Sequence, residues 1–404
     1  MAVNNKAELL SPAGDMERLV MALTYGADAV YLAGRQFGMR AAAGNFGDAE
    51  LEKAVSMAHG AGARVYVTCN NVMRNDDMPV LPSFLETLAD IGADGIICTD
   101  FGVLSLAKKY APQVPVHIST QAGVANYETA AAFHELGAAR VILARELSLD
   151  EIAEIRAKTP RGLELEAFVH GSMCVSFSGR CLLSDYLASR DANKGECAQP
   201  CRWKYRLVEE KRPGEYLEIT EDGGTYILNS RDLCMIDHVG ELIKAGIGSL
   251  KIEGRMKSAY YAAVVTNAYR RAIDAAAAGE PLKDIWRREV MKVSHREYST
   301  GFYFDKNGPG EYYKDAMYFS DCDVAAVVES CDGEGNAVLT QRNKIKAGDR
   351  LELLTPTDEP VGFTAGELRN SGDETIDATP HPMMVFKMKL PKYAPANSLL
   401  RRLK

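Results

Sequence analysis

Short apolar runs alternate with amphipathic stretches through residues 7–278 of the chain. The apolar runs are continuous and rich in β-branched residues, a pattern typical of strands that are buried on both faces of a parallel sheet. The stretches between them repeat apolar positions at helical spacing, which predicts helices that cover the sheet. The predicted strands are residues 8–10, 29–33, 64–69, 95–98, 116–119, 140–144, 163–169 and 249–253, and the predicted helices include residues 15–25, 48–59, 81–91, 127–136, 149–158 and 259–278.

Eight such units predict an α/β fold, a closed (β/α)8 TIM-like barrel, with an open doubly wound sheet as the alternative. The joints YGADAVYL, IGADGIIC, LGAARVIL and AGIGSLKI support the unit count, because each places Gly where a helix ends and a strand follows directly. The seventh and eighth strands lie far apart in sequence. We therefore expect residues 1–278 to form a barrel with an insertion, at about residues 170–240, between strands seven and eight.

The pattern changes after the helix at residues 259–278. Residues 279–320 are mixed and rich in aromatic side chains, which predicts a linker that packs on the rest of the protein. Residues 321–404 contain short apolar runs such as VAAVVE, AVLTQ and DRLELL, separated by Gly, Asn and Asp. This spacing predicts a small C-terminal antiparallel β-barrel domain. The segment KIKAGDRLELL is similar to a turn and strand of the β-barrel in translation factors, which favours an RNA partner.

Composition and charge limit the class of protein. The 404 residues are 47% hydrophobic and 25% charged, as in ordinary soluble proteins. We expect a cytoplasmic protein with no membrane partner, because the start MAVNNKAELL does not resemble a secretory signal and no apolar run could span a bilayer. The net charge of -8 argues against a surface that coats nucleic acid broadly, but it allows a local basic patch. Candidates for such a patch are Arg180, Arg202, Lys204, Arg206, Lys251, Arg255 and Lys257.

Five of the nine cysteines lie in or next to the predicted insertion. Cys174, Cys181, Cys197 and Cys201 have C-x6-C-x15-C-x3-C spacing, and Cys234 follows in NSRDLCMID. In a reducing compartment such a group indicates a metal site or catalysis rather than disulfides. The spacing matches neither a standard ferredoxin nor a zinc ribbon, so an iron–sulfur cluster, a zinc ion and purely structural cysteines all remain open. Outside this group, Cys69, Cys98, Cys322 and Cys331 are expected to be buried as small apolar side chains.

The active site of a barrel forms from the residues just after its strands. His170 follows the seventh strand as a candidate base, metal ligand or loop support. Glu166 lies within that strand, where a buried carboxylate needs a cation such as Arg255 or Lys251. The sequence contains neither the HExxH motif of zinc proteases nor the GxSxG turn of serine hydrolases, so neither motif supports a hydrolase. The other residues at strand ends are Gly34, Arg35, Arg40, Asn70, Asn71, Thr99, Asp100, Thr120, Gln121, Arg145 and Glu146.

The segment EAFVHGSMCVSFSGRC closely resembles the signature of the peptidase U32 family, E-x-F-x-H-G-x-[LM]-C followed by S-G-x-C. The similarity extends to ELLSPAGDMERLVMALTYGADAVYLAG, RDANKGECAQPCRWKY, TYILNSRDLC and SLKIEGRMKSAYYAA, and it covers most of residues 7–275. The family name implies a collagenase-like peptidase. Its better-understood members are non-proteolytic hydroxylation proteins that carry an oxygen-sensitive [4Fe-4S] cluster and act on tRNA wobble uridine, on ribosomal RNA or in quinone biosynthesis.

In length and domain content the chain is similar to the tRNA branch. The resemblance therefore implies oxygen-independent formation of 5-hydroxyuridine at the wobble position in the anticodon region of tRNA. It also implies prephenate, a small organic acid, as the hydroxyl donor, and it allows a homologous partner subunit. Cys174, Cys181, Cys197 and Cys234 match ligand positions for the cluster, with Cys201 as an alternative fourth ligand. His170, Glu166 and Arg255 match signature positions and are the catalytic candidates. Other RNA or quinone hydroxylation, a peptidase and a non-catalytic RNA-binding assembly factor are the alternatives.

Overall fold

Eight parallel strands close into a barrel in the computed structural model, which describes residues 6–39, 44–174, 176–177, 181–203, 207–208, 216–217, 230–305 and 320–404. Each strand pairs with its neighbour in sequence order, and the last strand pairs with both the first and the seventh. The predicted TIM-like barrel is therefore confirmed, and the open sheet is excluded. The barrel strands are β1 (Glu8–Pro12), β2 (Ala29–Leu32), β3 (Arg64–Cys69), β4 (Gly95–Cys98), β5 (Val116–Ile118), β6 (Arg140–Ile142), β7 (Glu164–Ser172) and β11 (Ser249–Ile252).

Helices cover the outside of the barrel, and polar residues define where several of them begin. The Asp15 side chain accepts the Arg18 N–H ahead of the first helix, and Ser148 with Glu151 forms a capping box ahead of the sixth. The six predicted helices correspond to α1, α2, α3, α5, α6 and α9, and they did not include α4, α7, α8 and α10. The helices are α1 (Met16–Thr24), α2 (Asp48–Gly60), α3 (Leu81–Asp90), α4 (Phe101–Tyr110), α5 (Tyr127–Glu135), α6 (Leu149–Lys158), α7 (Leu183–Ala188), α8 (Val239–Lys244), α9 (Ala259–Ala278) and α10 (Asp284–Glu289).

The insertion between β7 and β11 extends the barrel wall and lies over its C-terminal end. It contains α7, the two short pairing segments β8 (Leu207–Val208) and β9 (Tyr216–Leu217), and β10 (Asp232–Cys234). The last of these strands runs antiparallel to β7, and β12 (Tyr298–Ser299) pairs parallel to it. The described part of the predicted linker therefore contributes α10 and a strand to the body of the protein.

Hydrogen bonds and ion pairs hold the insertion to the loop after β3. The Val72 N–H donates to the carbonyl of Asn193 at 3.1 Å. Lys194 pairs with Asp77 at 2.7 Å. These contacts place the cysteine-bearing segment across the end of the barrel where active sites form.

The C-terminal module is an eight-stranded antiparallel sheet that curls into a half-barrel, which is the form taken by the predicted small β-barrel. Its own buried core is separate from that of the barrel. Its strands are β13 (Cys322–Cys331), β14 (Asn336–Gln341), β15 (Arg350–Leu354), β16 (Val361–Thr364), β17 (Leu368–Asn370), β18 (Thr375–Ile376), β19 (Val385–Lys389) and β20 (Leu399–Leu403).

Buried polar contacts attach this module to the side of the barrel. The Arg401 guanidinium is fully buried and pairs with Glu289 of α10 at 2.7 Å. The Tyr25 hydroxyl donates to the carbonyl of Leu354 at 3.1 Å, and Arg271 of α9 donates to the carbonyl of Pro356 at 2.7 Å. No helix among the described residues is long and apolar enough to cross a membrane.

Candidate active site

Four cysteines line one cavity, of about 180 Å³, between the insertion and the C-terminal end of the barrel. Cys174 follows β7 and is exposed. Cys181, Cys197 and Cys201 come from the insertion and are half-buried. We call this space the cysteine cavity. Its wall also includes Met39, Thr120, Gln121, Arg145, Glu146, Phe177, Arg190, Arg202 and Met256.

The four thiols influence one another electrostatically. Burial raises the pKa of the Cys201 thiol, and the neighbouring Cys174, Cys197 and Cys181 raise it further, while Arg202 opposes the shift. Thiolates gathered in this way repel each other, and a bound metal centre would relieve that repulsion. By contrast, burial alone dominates the raised pKa values of Cys69 and Cys98, which lie side by side in β3 and β4.

The donor set fits a thiolate-bound centre, because three or four thiolates are what an iron–sulfur cluster requires. In the part of the chain that the structure describes, no three His, Cys, Asp or Glu side chains already form a ready-made metal site. The cluster therefore stays a prediction, supported by four thiols on one cavity wall.

Cys234 lies apart from these four cysteines. It is on β10, and its sulfur accepts a long contact of 3.9 Å from the Tyr269 hydroxyl of α9. Burial raises the pKa of its thiol to about 11, and the cysteines of the cavity have no part in that shift. We predicted Cys174, Cys181, Cys197 and Cys234 as ligands, with Cys201 as the alternative to Cys197. Cys201 lines the cavity and Cys234 does not, and the choice of ligands stays a prediction.

Glu166 belongs to a buried charge network at the other end of the barrel interior. Its carboxylate accepts from Lys251 at 2.9 Å and from Arg140 at 2.9 Å, and Arg140 also pairs with Glu8 at 2.7 Å. Burial alone would raise the pKa of Glu166, but Lys251 and Arg140 together hold it below its usual value. Glu166 lines neither the cysteine cavity nor the second, smaller cavity described below. We name these four side chains the charged floor, and the catalytic role of Glu166 stays a prediction.

His170 lies on the outside of the barrel wall, in contact with three tyrosines. The register of β7 against β11 shifts beside it, between Lys251 and Ile252. Its Nε2 lies 3.2 Å from the Tyr298 hydroxyl and its Nδ1 lies 3.3 Å from the Tyr269 hydroxyl. Burial lowers the pKa of His170 to about 3, so the ring is neutral at physiological pH.

The surroundings of His170 are therefore those of a support for the insertion. Tyr269 also bonds the backbone on both sides, to the carbonyl of Val169 and from the N–H of Met235. These bonds join β7 to the segment after β10. Of the three roles we considered for His170, loop support agrees with these contacts, and its catalytic role stays a prediction.

Arg255 lines a second, smaller cavity inside the barrel mouth, of about 80 Å³. Its Nη1 donates to the Thr68 hydroxyl at 3.0 Å. We call this space the barrel cavity. Three cations and one carboxylate face it, together with neutral polar groups; its wall includes Tyr31, Met39, Thr68, Asn70, Ser119, Thr120, Gln121, Arg145, Phe168, Lys251, Glu253 and Arg255.

Arg145 lies between the two cavities and is fixed on three sides. It donates to the carbonyl of Ser172 at 2.9 Å, contacts Glu253 at 3.3 Å and stacks on Phe168 at 3.7 Å from the ring centre. Both cavities also share Met39, Thr120 and Gln121. The two spaces are therefore adjoining parts of one candidate active site, with cations on the inner side and thiols on the outer side.

Comparison with known proteins identifies the family. The model of peptidase family U32 matches residues 14–312, and the model of the U32 C-terminal domain matches residues 320–401. The chain belongs to peptidase family U32. It is 36% identical to tRNA hydroxylation protein P1 of Bacillus subtilis strain 168, over 99% of this chain and 96% of that protein.

Two further relatives of this U32 chain come from Escherichia coli strain K12. The tRNA hydroxylation protein P is 36% identical over 93% of this chain and 92% of its own length. The 23S rRNA 5-hydroxycytidine C2501 synthase is 31% identical over 98% of this chain and 59% of its own length. The U32 chain thus matches the two tRNA hydroxylation proteins over nearly their full lengths.

Several residues that we singled out because they follow a barrel strand line one of the two cavities of this U32 chain. Asn70, Thr120, Gln121 and Arg145 line the barrel cavity, and Glu146 lines the cysteine cavity. Asp100 instead caps α4 by accepting from the Gly102 N–H at 2.7 Å. Arg40, Arg180, Lys204 and Arg206 lie outside the described residues.

Sequence reasoning missed Thr68, Ser119 and Met256, which also line the cavities. Thr68 is the residue before the last one of β3, and it points to the same side of the strand as Tyr66 because the two are two residues apart. A polar residue that points into the barrel near the end of a strand could therefore have been identified from the sequence. Met256 carried no such signal, because it lies in the loop after β11.

Proposed function

We propose that this chain is an RNA-modifying hydroxylase that adds one oxygen to a pyrimidine of tRNA. One observation supports this proposal most directly: four thiols line a cavity that adjoins a cation-lined cavity in the barrel mouth. The relatives named tRNA hydroxylation proteins support tRNA as the substrate. The finer assignment is 5-hydroxyuridine at the wobble position of the anticodon region, made without molecular oxygen.

In this proposal Cys174, Cys181, Cys197 and Cys201 hold a [4Fe-4S] cluster. Their shared cavity and mutual electrostatic repulsion support that role. When bound, such a cluster would supply one-electron redox chemistry. The protein contributes the cavity, the cations around it and the exclusion of bulk water.

A small organic acid, with prephenate as the assigned donor, binds across the two cavities. The barrel cavity, of about 80 Å³, is the smaller of the two, and in this proposal it takes a carboxylate group of the acid. The guanidinium groups of Arg145 and Arg255 suit a carboxylate there, because a planar guanidinium can bond both of its oxygens. The remainder of the acid then extends into the cysteine cavity.

The RNA approaches from the open side of the cysteine cavity. Exposed aromatic side chains on the insertion support this direction, namely Tyr186, with 79% of its surface exposed, and Trp203, with 42%. Unpaired bases stack on such side chains, and loops of tRNA present unpaired bases. Arg202, which lines the cavity next to Trp203, supplies a positive charge for the RNA backbone.

The net chemistry transfers one oxygen. The pyrimidine C5–H becomes C5–OH, and the donor's C–OH becomes C–H, so atoms and electrons balance. Arg145 and Arg255 orient the donor by its carboxylate, and the insertion holds the base above it. His170 and Glu166 act at a distance, by fixing the insertion and the barrel interior respectively.

Mass spectrometry of tRNA nucleosides tests the proposal. A strain that lacks this gene should lose a uridine derivative with one additional oxygen, and the intact gene should restore it. A Cys201→Ala gene should fail to restore it, whereas a Cys322→Ala gene, altered at a buried cysteine of the C-terminal module, should succeed. Unchanged nucleosides in the deletion strain would contradict tRNA hydroxylation.

The peptidase alternative finds less support in the site. Both ring nitrogens of His170 lie within hydrogen-bond distance of tyrosine hydroxyls, those of Tyr269 and Tyr298, which is not the pairing of a serine or cysteine hydrolase. Purified protein that cleaves gelatin, and loses that activity in a single-site variant, would restore the alternative.

A further inference from the structure

Gln121 lies where the cysteine cavity and the barrel cavity meet. It belongs to the short 3-10 turn Thr120–Ala122, which directly follows β5. Its side chain lines both cavities, next to Thr120, Met39 and Arg145. A group at this junction can contact a base that enters from the cysteine cavity and is brought next to the small acid.

The backbone around Gln121 is firmly held. The Ser119 N–H donates to the carbonyl of Cys98 at 2.7 Å, and the Thr120 hydroxyl donates to the carbonyl of Leu143 at 2.9 Å. The turn ends at Gly123, whose φ of 72° is left-handed. The position of the Gln121 side chain is therefore set by the barrel rather than by a ligand.

The amide oxygen of Gln121 is buried, and no donor among the described residues bonds it. Buried acceptors without a partner are few in native proteins, and each one calls for an explanation. The neighbours at the junction are already engaged: Thr120 with Leu143, and Arg145 with Ser172 and Glu253. Gln121 thus presents hydrogen-bonding capacity at the point where two ligands would meet.

The chemistry of the unsatisfied atom indicates which ligand it serves. The carboxylates of an ionised organic acid offer only acceptors, so they cannot satisfy an amide oxygen. A pyrimidine offers an N–H on its Watson–Crick edge, N3–H in uracil and N4–H in cytosine, beside acceptors that the Gln NH2 group can bond. A primary amide matches that edge with one acceptor and one donor.

We propose that Gln121 reads the Watson–Crick edge of the target pyrimidine and is a specificity-determining residue of this enzyme. The amide oxygen accepts the N3–H of uridine, and the amide NH2 donates to a neighbouring carbonyl of the base. This inference rests on the proposed function, because it assumes that the base enters the cysteine cavity. It adds the residue that selects the base.

Binding of RNA hairpins to the full-length, anaerobically purified protein tests the inference. Two hairpins of one sequence carry uridine or N3-methyluridine at the target position; the second lacks the N3–H. Wild-type protein should bind the uridine hairpin roughly 10- to 100-fold more tightly than the N3-methyluridine hairpin, as expected for a two-bond contact to a base edge. Gln121→Leu should bind the two hairpins equally.

Gln341→Leu is the matched control. Gln341 also has a buried amide oxygen without a partner, but it lies in the C-terminal module and lines neither cavity. This variant should discriminate between the hairpins as the wild type does. Equal binding of uridine and N3-methyluridine by the wild type, or full discrimination by Gln121→Leu, would overturn the assignment.

A hydroxylation assay separates this inference from the proposed function. With uridine RNA, Gln121→Leu should show a kcat/KM lowered by a similar factor, with its iron content unchanged. If the wild type hydroxylates uridine and Gln121→Leu does so equally well, the inference alone fails. If the wild type neither binds nor hydroxylates any of the RNAs, the proposed function fails and this inference fails with it.

Discussion

Gly171 approaches the backbone oxygen of Glu253 so closely that a Cβ on residue 171 would collide with it. The φ of Gly171 is 110°, a conformation that side chains with a Cβ rarely adopt. The contact joins the end of β7 to the end of β11. It therefore sets the position of the chain from which Cys174 departs, and it explains physically why Gly follows His170.

Gly171→Ala is expected to destabilise the fold. Both the collision with Glu253 and the positive φ oppose a Cβ, so the free energy of unfolding should fall by about 3 kcal/mol or more. Gly60→Ala, at the end of α2 where a Cβ meets open space, is the control and should change stability by about 1 kcal/mol at most. Chemical denaturation measures both, and equal stability of the two variants would contradict this account.

Replacing Cys201 should abolish iron binding, whereas replacing Cys234 should not. Cys201 shares a cavity with three other thiols, and Cys234 lies against Tyr269 instead. We expect Cys201→Ala to lose most of its iron and its broad visible absorbance after anaerobic reconstitution. Cys234→Ala should keep both. The reverse result would support Cys234, and not Cys201, as a ligand.

Glu166→Gln should be strongly destabilising. The substitution leaves Lys251 and Arg140 buried without their shared carboxylate, and breaking a buried pair costs about 3–5 kcal/mol. The control is Glu154→Gln, which breaks the exposed pair with Lys158 and should cost no more than about 1 kcal/mol. Thermal unfolding compares the two variants, and similar melting temperatures would show that the charged floor contributes little.

His170 should make the protein less stable as the pH falls. Its pKa is about 3 in the folded state, against an ordinary value of 6.5, so between these values the unfolded chain binds the additional proton. The contribution of His170 to the free energy of unfolding is fully present above pH 6.5. It declines as the pH falls toward 3, by up to about 1.4 kcal/mol for each pH unit. His170→Gln should therefore show a shallower dependence between pH 6.5 and pH 4.5. Denaturation curves at several pH values give the slopes, and identical slopes would mean that His170 is not protonated on unfolding.

Arg255→Lys should weaken binding of the organic acid. A lysine keeps the charge but loses the planar pair of donors that suits a carboxylate. We expect the KM for the acid to rise roughly tenfold, because about one charge-assisted hydrogen bond is lost. The iron content should not change. Arg350→Lys, at an exposed position in the C-terminal module, is the control. An unchanged KM would remove Arg255 from the acid site.

Much of the barrel could be predicted from the chain because its rules are local. A continuous apolar run predicts a buried strand, and a Gly after a helix predicts the turn that follows. All eight barrel strands lie within a few residues of their predicted positions, including β3 and β4 with identical bounds. Positions after strands likewise predicted Arg145 and Gln121 correctly as cavity residues.

The direction in which a side chain points was harder to predict. Regular alternation would place Glu166, Phe168 and His170 on one face of β7. The register shift beside Lys251 instead turns His170 out of the barrel, and no residue pattern signals that shift. Which of the five cysteines line one cavity depends on how the insertion folds back over the barrel, which is a long-range property that spacing does not encode.

The buried Arg401 has a consequence for how the two units come apart. Its guanidinium bonds Glu289 of α10 and Glu352 of the C-terminal module, and it has no access to water. Pulling the units apart would break the pair between Arg401 and Glu289, whose side chains are both buried, and would leave Arg401 with Glu352 alone. We therefore expect barrel and module to melt in a single cooperative transition, and a chain truncated before β13 to be prone to aggregation rather than to yield a free-standing barrel.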